Sequence, residues 1–457
     1  MTEKRYPVYK PTGIEWFGDA PAHWEVKRLK HLIDKIEQGW SPQCHNQAAE
    51  EGEWGVLKVG CVNSGIFDPS ENKALPSDLE PKLEYVIRAG DILISRANTK
   101  ELVGSAAKVK AVDAKLLLCD KLFRIVTSGK VHDEYLIYTL RSAVARHQYE
   151  KDATGTSGSM QNIGQDTIKN LLVSLPPLKE QGIIADFLDG RTAQIDVLIT
   201  KKQALLKLLD EKRTALITQA VTKGLNPDAP LKLSGIDGLG DIPAHWEVKR
   251  LKNLVTKVGS GVTPKGGSEV YVDEGIMFLR SQNIHFNGLR LEDVKYISEE
   301  THEAMANSQV SNGDVLLNIT GASIGRVTTY TLHEEANVNQ HVCIIRPVNN
   351  SYSAFIRYLL TSTIGQHKIF AGQVGTSREG LTFEEIKNFQ FPIPPVEEVG
   401  LIVSEIEKNC QLIDRLAEQN TLAINKLKEY RSSLITHAVT GKIDVRQYAP
   451  EPYAHEA

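Results

Sequence analysis

Cysteine is scarce. The 457 residues contain five (Cys44, Cys61, Cys119, Cys343, Cys410), with no two close together, and an odd, scattered set fits reduced thiols of a cytosolic protein rather than a disulfide framework or a zinc site. Long apolar runs are missing too. None approaches the roughly 18 residues of a membrane span, and the start, MTEKRYPVYKPTG, lacks the apolar stretch of a signal peptide, so the expected location is the cytoplasm with no membrane partner. Nor is there a surplus of positive charge: 53 Lys and Arg against 57 Asp and Glu give a net charge of -4, and any nucleic-acid partner must be argued from local features. With 41% hydrophobic and 24% charged residues the chain is neither disordered nor fibrous, and its length allows two or three domains.

Catalytic motifs are equally sparse. GVTPKGGS (261–268) has the glycine spacing of a phosphate-binding loop but Gly267 where the lysine belongs. His333-Glu334 lacks the second histidine of a zinc protease, and no G-x-S-x-G or G-x-G-x-x-G fingerprint occurs. The proline-proline-aromatic tetrapeptide expected of a DNA amino-methyltransferase is absent, since LPPL and IPPV carry leucine and valine there. Asp68, Glu80 and Lys82 only distantly suggest a metal nuclease.

What the chain does have is a duplication. PAHWEVKRLK stands at 21–30 and again at 243–252, an offset of 222 that also aligns Lys10, Gly13, Ile14, Gly18 and Asp19 with Lys232, Gly235, Ile236, Gly240 and Asp241. Further matches follow in order: QGWSP with SGVTP, GDILIS with GDVLLN, GTS with GTS, IKNLLVSLPPLKEQ with IKNFQFPIPPVEEV, and LITQAVT with LITHAVT. The repeat unit is therefore long, with similar ends and divergent middles. In each copy, short β-rich runs such as KLFRIVTS alternate with short helical patterns such as EYLIYTLRSAVARHQY, predicting an α+β domain with a mixed sheet.

After Pro176-Pro177 and Pro394-Pro395 no proline appears for over forty residues. Proline suits a helix start and is excluded from its interior, which predicts one long helix at about 180–222 and another at 397–440. A heptad seam follows in each: Ile184, Leu188, Arg191, Ile195, Leu198, Lys202, Leu205, Leu209, Lys212, Leu216, Gln219, and Ile402, Ile406, Asn409, Ile413, Leu416, Asn420, Ala423, Leu427, Tyr430, Leu434, His437. Forty residues rise roughly 65 Å, more than one small domain can cover, so the helices should pair. A parallel pair would stretch the connection from Gly224 to Pro243 almost taut. The expectation is an antiparallel coiled coil joining two α+β domains as a pseudo-two-fold repeat, with Lys202 and Asn420 setting the register, facing another chain or forming a solvated polar layer.

Taken in order, PAHWEVKRLK, the G-x-[ST]-P loop (39–42 and 261–264), the GTS loop, the P-P-L-x-E-Q helix start and the terminal LITHAVTGKIDVR resemble the specificity subunit of type I restriction-modification enzymes over about residues 10–447. EEV at 397–399 departs from KEQ at 179–181, putting in doubt whether the second helix start makes equivalent contacts. The resemblance implies an N-terminal arm (1–15), a first target-recognition domain (16–178), a long helix (179–224), a linker (225–240), a second target-recognition domain (241–395), a second long helix (396–442) and a tail (443–457). Each globular domain would read half of a split, asymmetric site in double-stranded DNA. The helices would set the gap and dock two methyltransferase subunits, and restriction/translocase subunits would join them. No catalytic, cofactor or metal site is expected in this chain; S-adenosylmethionine, ATP and Mg belong to the partners.

Candidate DNA-binding residues are the polar and basic loop residues of the divergent parts: Ser41, Lys58, Arg96, Asn98, Lys100, Thr154, Thr156 and Ser157 in the first copy, and Thr263, Lys265, Arg280, Gln282, Asn283, Asn318, Thr320, Thr376, Ser377 and Arg378 in the second. Arg and Lys can bond guanine, Gln and Asn adenine, and hydroxyls the phosphates. Trp24 and Trp246 lie in the identical strings, where a core anchor is the better reading. Three rivals remain: a specificity subunit of another multisubunit methyltransferase-nuclease system, a coiled-coil adaptor that binds no DNA, and a self-contained enzyme.

Overall fold

A computed structural model describes residues 4–155, 160–264, 266, 270–371 and 380–448. Two compact units emerge, each drawing on both ends of the repeat: residues 1–202 with 422–457, and residues 203–421.

In the first unit a four-stranded antiparallel sheet has the order Ile33–Gln38, Leu122–Thr127, Ile92–Ser95, Ala106–Lys108. Its two central strands, Leu122–Thr127 and Ile92–Ser95, are buried on both faces over LFRI and ILIS and so read as mainly apolar runs rather than as alternating ones, whereas the edge strand Ile33–Gln38 buries only Ile36. Ile92, Ile94, Phe123 and Ile125 pack with Tyr135 and Leu136 of the helix Asp133–Leu140 and with the start of the first long helix, whereas Leu93 and Leu122 pack with Val56, Leu57, Leu116 and Leu117. The latter four belong to a three-stranded sheet in which Lys115–Leu117 runs parallel to Trp54–Leu57 and Asn72–Ala74 antiparallel to it.

The second unit repeats this plan. Val255–Ser260, Val342–Pro347, Val315–Asn318 and Val327–Thr329 form the antiparallel sheet, and Lys295–Ile297, Ile276–Leu279 and Ala336–Val338 the mixed one. Val315 and Leu317 face one core while Leu316 faces the other. The fold is α+β as expected, with the mixed character confined to the three-stranded sheets.

The duplicated Gly-Asp before the central strand has a structural reason. Gly90 and Gly313 turn the chain at φ of 95° and 91°, where a side chain would be strained. Asp91 then accepts from Arg124 Nη1 at 3.2 Å, and Asp314 from Arg346 Nε and Nη2 at 2.8 and 2.7 Å. Arg124 is 8% exposed. It also donates to Glu37 at 2.5 Å and to the carbonyls of Val86 and Glu84 at 2.8 and 2.9 Å.

Both proline-free stretches are single helices, Leu178–Lys223 and Val396–Val439, and each is followed by a glycine with positive φ, Gly224 at 71° and Gly441 at 70°. Within each unit the two helices run antiparallel. In the first, Arg431 Nε and Nη2 bond Asp196 Oδ1 and Oδ2 at 2.9 and 3.1 Å; in the second, Arg213 pairs with Asp414. The register is common to both: Asp196 to Arg213 is 17 residues forward, and Arg431 to Asp414 is 17 back.

The seam itself is corrected at alternate positions. Leu198, Leu205, Leu416 and Tyr430 are 48%, 40%, 40% and 51% exposed, and Lys212 and Gln219 are exposed too. The inward positions are one residue later: Thr192, Ile199, Leu206, Arg213 and Ala220 on the first helix, and Cys410, Ala417, Ile424, Arg431 and Ala438 on the second. Leucines occur on both sides of that step, so apolarity alone could not choose between two 4-3 spacings. The slip is the same in both copies, which keeps the two seams in phase.

Candidate nucleic-acid interface

Each unit converges three loops at one end of its four-stranded sheet. They are the G-x-[ST]-P loop, the turn entering the strand that begins at Leu122 or Val342, and the segment leaving the strand that ends at Ser95 or Asn318. Main-chain bonds tie them: Trp40 N to Leu118 O at 2.9 Å and Arg96 N to Lys121 O at 2.8 Å in the first unit, Gly261 N to Val342 O at 3.3 Å and Ile319 N to His341 O at 3.0 Å in the second. The motif glycine is needed for close approach. A Cβ on Gly39 would collide with the carbonyl of Leu118, and one on Gly261 with that of Val338. A further segment joins on, with Ile163 N donating to Arg96 O and Leu381 N to Ile319 O, both at 2.9 Å.

Several of the sequence candidates meet here. In the first unit the Ser41 hydroxyl donates to the Asp120 carboxylate while Asp120 N donates back to Ser41 Oγ at 3.1 Å. Arg96 Nη1 reaches the Asp120 carbonyl at 3.3 Å. Lys100 and Thr154 are exposed and Lys58 is half-buried; Lys121, not among the candidates, is exposed, and its carbonyl accepts from Arg96 N. In the second unit Thr263 donates to Gln340 Oε1, Gln340 Nε2 lies 3.1 Å from His341 Nε2, and His341 Nδ1 lies 2.5 Å from Thr320 Oγ1. Arg280 donates to the Asp293 carbonyl at 2.8 Å, and Gln282 is exposed.

Three candidate asparagines hold the fold from within. Asn98 Nδ2 donates to Asn63 at 2.9 Å, Asn283 Nδ2 to Arg290 O at 2.7 Å, and Asn318 Nδ2 to Ser281 O at 2.8 Å; all three are under 9% exposed. In the geometry seen they brace the loops. Thr156, Ser157, Lys265, Thr376, Ser377 and Arg378 lie outside the described residues. The partners Asp120, Gln340 and His341 were missed because they sit in short turns without a motif. Their signal is the equivalent placement of CDKL (119–122) and NQHV (339–342), just before matching apolar strands.

Each unit is also locked to a helix start. Trp24 and Trp246 are fully buried. Trp24 Nε1 donates to Glu180 at 3.2 Å and Trp246 Nε1 to Glu398 at 3.1 Å, and His23 and His245 reach the same carboxylates at 2.9 and 2.6 Å. The helix-start glutamates are therefore equivalent despite the KEQ to EEV change. What differs is the next residue: Gln181 bonds His132 N and Pro176 O at 2.8 and 2.9 Å, whereas Val399 is buried in the apolar core. In the first unit Tyr6 adds a 2.7 Å bond to Glu180; burial and the adjacent carboxylate push its phenol well above the ordinary range.

Two α+β units, each presenting one loop cluster and clamped to a long helix, define a duplicated recognition scaffold. The family model for the type I restriction modification DNA specificity domain matches residues 21–207 and again 243–426, and the chain belongs to that family, carrying its domain twice. It is 33% identical over 191 residues to the type I restriction enzyme EcoEI specificity subunit of Escherichia coli, a match covering 40% of this chain and 32% of that one. To the MjaVIII specificity subunit of Methanocaldococcus jannaschii it is 24% identical over 436 residues, covering 93% and 94%. A chain solved in a study of complex assembly and conformational transition of the type I R-M system shares the fold, with TM-score 0.69, 17% identity and 93% and 99% coverage. Among the described residues no helix is long and apolar enough to cross a membrane.

Proposed function

We propose that this chain is the DNA sequence-specificity subunit of a type I restriction-modification complex, each unit reading one half of a bipartite, asymmetric site. The observation that carries this reading is one loop frame built twice, sharing the equivalent main-chain bonds Arg96 N to Lys121 O and Ile319 N to His341 O, and Ile163 N to Arg96 O and Leu381 N to Ile319 O, and furnished with different side chains. A common frame suits a common ligand, and divergent side chains suit two different half-sites. Arg96, Lys100 and Lys121 supply local positive charge in the first unit that the net charge of -4 conceals.

In this reading the chain recognises and its partners react. Two methyltransferase subunits hold S-adenosylmethionine, restriction/translocase subunits use ATP and Mg, and the complex works in the cytoplasm. In the second unit the exposed Leu205 and Leu208 of the first long helix, 40% and 59% exposed, supply an apolar surface for docking such partners. Co-expression with the methyltransferase subunits, followed by genome-wide mapping of methylated adenines with and without this gene, tests the proposal. The expected result is a two-part motif whose methylation requires the chain. Methylation that persists unchanged without it, or a co-purified complex with no salt-sensitive affinity for duplex DNA, would contradict the proposal.

A further inference from the structure

Aligning the two loop frames by their main-chain bonds places Asp120 of the first unit and Gln340 of the second at one and the same corner. Each stands at the turn before an equivalent strand, Leu122–Thr127 or Val342–Pro347. Each side chain accepts a hydrogen bond from the hydroxyl of the duplicated loop, Ser41 or Thr263. The hydroxyl is the same chemistry twice; the group it orients is not. A carboxylate can only accept hydrogen bonds, whereas a carboxamide presents a donor beside its acceptor.

We infer that this corner is a specificity-determining position in both units, Asp120 accepting from the exocyclic amine of a cytosine in one half-site and Gln340 pairing with an adenine in the other. The inference rests on the reading of the chain as a DNA-recognition subunit and deepens it. In the first unit, Ser41 occupies Asp120 Oδ1, and the second carboxylate oxygen carries no hydrogen bond among the described residues. A carboxylate placed toward DNA is repelled by phosphate unless a base amine meets it, and the cytosine amine in the major groove is such a donor. In the second unit a chain of four polar groups, Thr263, Gln340, His341 and Thr320, crosses all three loops. It fixes the orientation of the Gln340 amide, as a bidentate contact to adenine N6 and N7 requires. Ser41 and Thr263 are then positioning residues, acting through the corner side chain rather than on the base.

The test uses the full chain co-expressed with its methyltransferase subunits, reading the methylated motif base by base in D120A and Q340A. Each variant is expected to relax one base position in its own half-site by about tenfold, leaving the other half unchanged. S41A and T263A should relax the same positions less. Should an alanine variant fail to assemble, D120N and Q340E keep an acceptor for the loop hydroxyl and should shift the preferred base at those positions. An unchanged motif in the assembled variants, or a loss of binding uniform across all sequences, would overturn the inference. The underlying reading fails differently: the wild-type complex would then bind duplex DNA with no sequence preference at all.

Discussion

Arg124 shows how a single side chain holds a recognition unit together. Its guanidinium satisfies two carboxylates and two carbonyls at once, and removing one partner of such a buried set leaves uncompensated charge. The variant R124A is expected to lose about 3 kcal/mol in a denaturant titration, judged by the midpoint of the first unit's transition. The same cluster sets an acid limit. Burial works to raise the Glu37 carboxyl, but hydrogen bonds from Lys35 and Arg124 outweigh it and hold it below the ordinary range. Asp444 is likewise lowered, first of all by its hydrogen bond from Arg446. A depressed carboxyl stabilises the folded state above its unfolded pKa and loses that contribution as pH falls through the folded value. The urea midpoint should therefore drop between about pH 5 and pH 3, and E37Q should flatten that drop while lowering the midpoint at pH 7. An equally steep acid limb in E37Q would refute the assignment.

The long helices were legible as elements because proline is absent over each and a glycine follows it. Their inward faces were legible only in part. Leu198 and Ile199 are adjacent and both apolar, and only the partner helix selects Ile199. A substitution pair reads this out. I195A removes a buried side chain, 6% exposed, and should cost about 2–4 kcal/mol of the isolated chain's stability; L198A should cost under about 0.5 kcal/mol. Comparable losses from both would mean that the inward face lies elsewhere. The G-x-[ST]-P loops make the same point at closer range. Their glycines stood out as repeated, but the need for them lies in carbonyls nearly eighty residues away, at Leu118 and Val338. G39A or G261A must push those carbonyls back, an overpacking of about 1–3 kcal/mol.

For the molecule as a whole, the acidic balance and the proposed role make opposed demands. A chain of net charge -4 should hold duplex DNA weakly alone, because phosphate contacts dominate affinity. With methyltransferase subunits bound, affinity should rise and fall steeply with salt, by about 10³-fold or more between 50 and 200 mM for six or more phosphate contacts. Fluorescence anisotropy with a labelled duplex, with and without partners, measures this directly. Tight, salt-insensitive binding by the lone chain would argue against a shared grip on the backbone. Of the candidate interface, Ser41, Arg96, Thr263 and Thr320 were legible as loop residues near repeated motifs. Asp120, Gln340 and His341 were not, because a turn residue carries no period and acquires its role from neighbours remote in sequence.

Periodicity, proline placement and an exact ten-residue repeat were enough to reveal two copies of one α+β unit and two long helices, because each is a local property that repeats along the chain. Folding alone settled which leucines turn inward, which asparagines are buried, and which turn meets the serine or threonine of the motif loop. Those choices depend on contacts between segments far apart in sequence, where a shift of one residue exchanges a buried side chain for an exposed one.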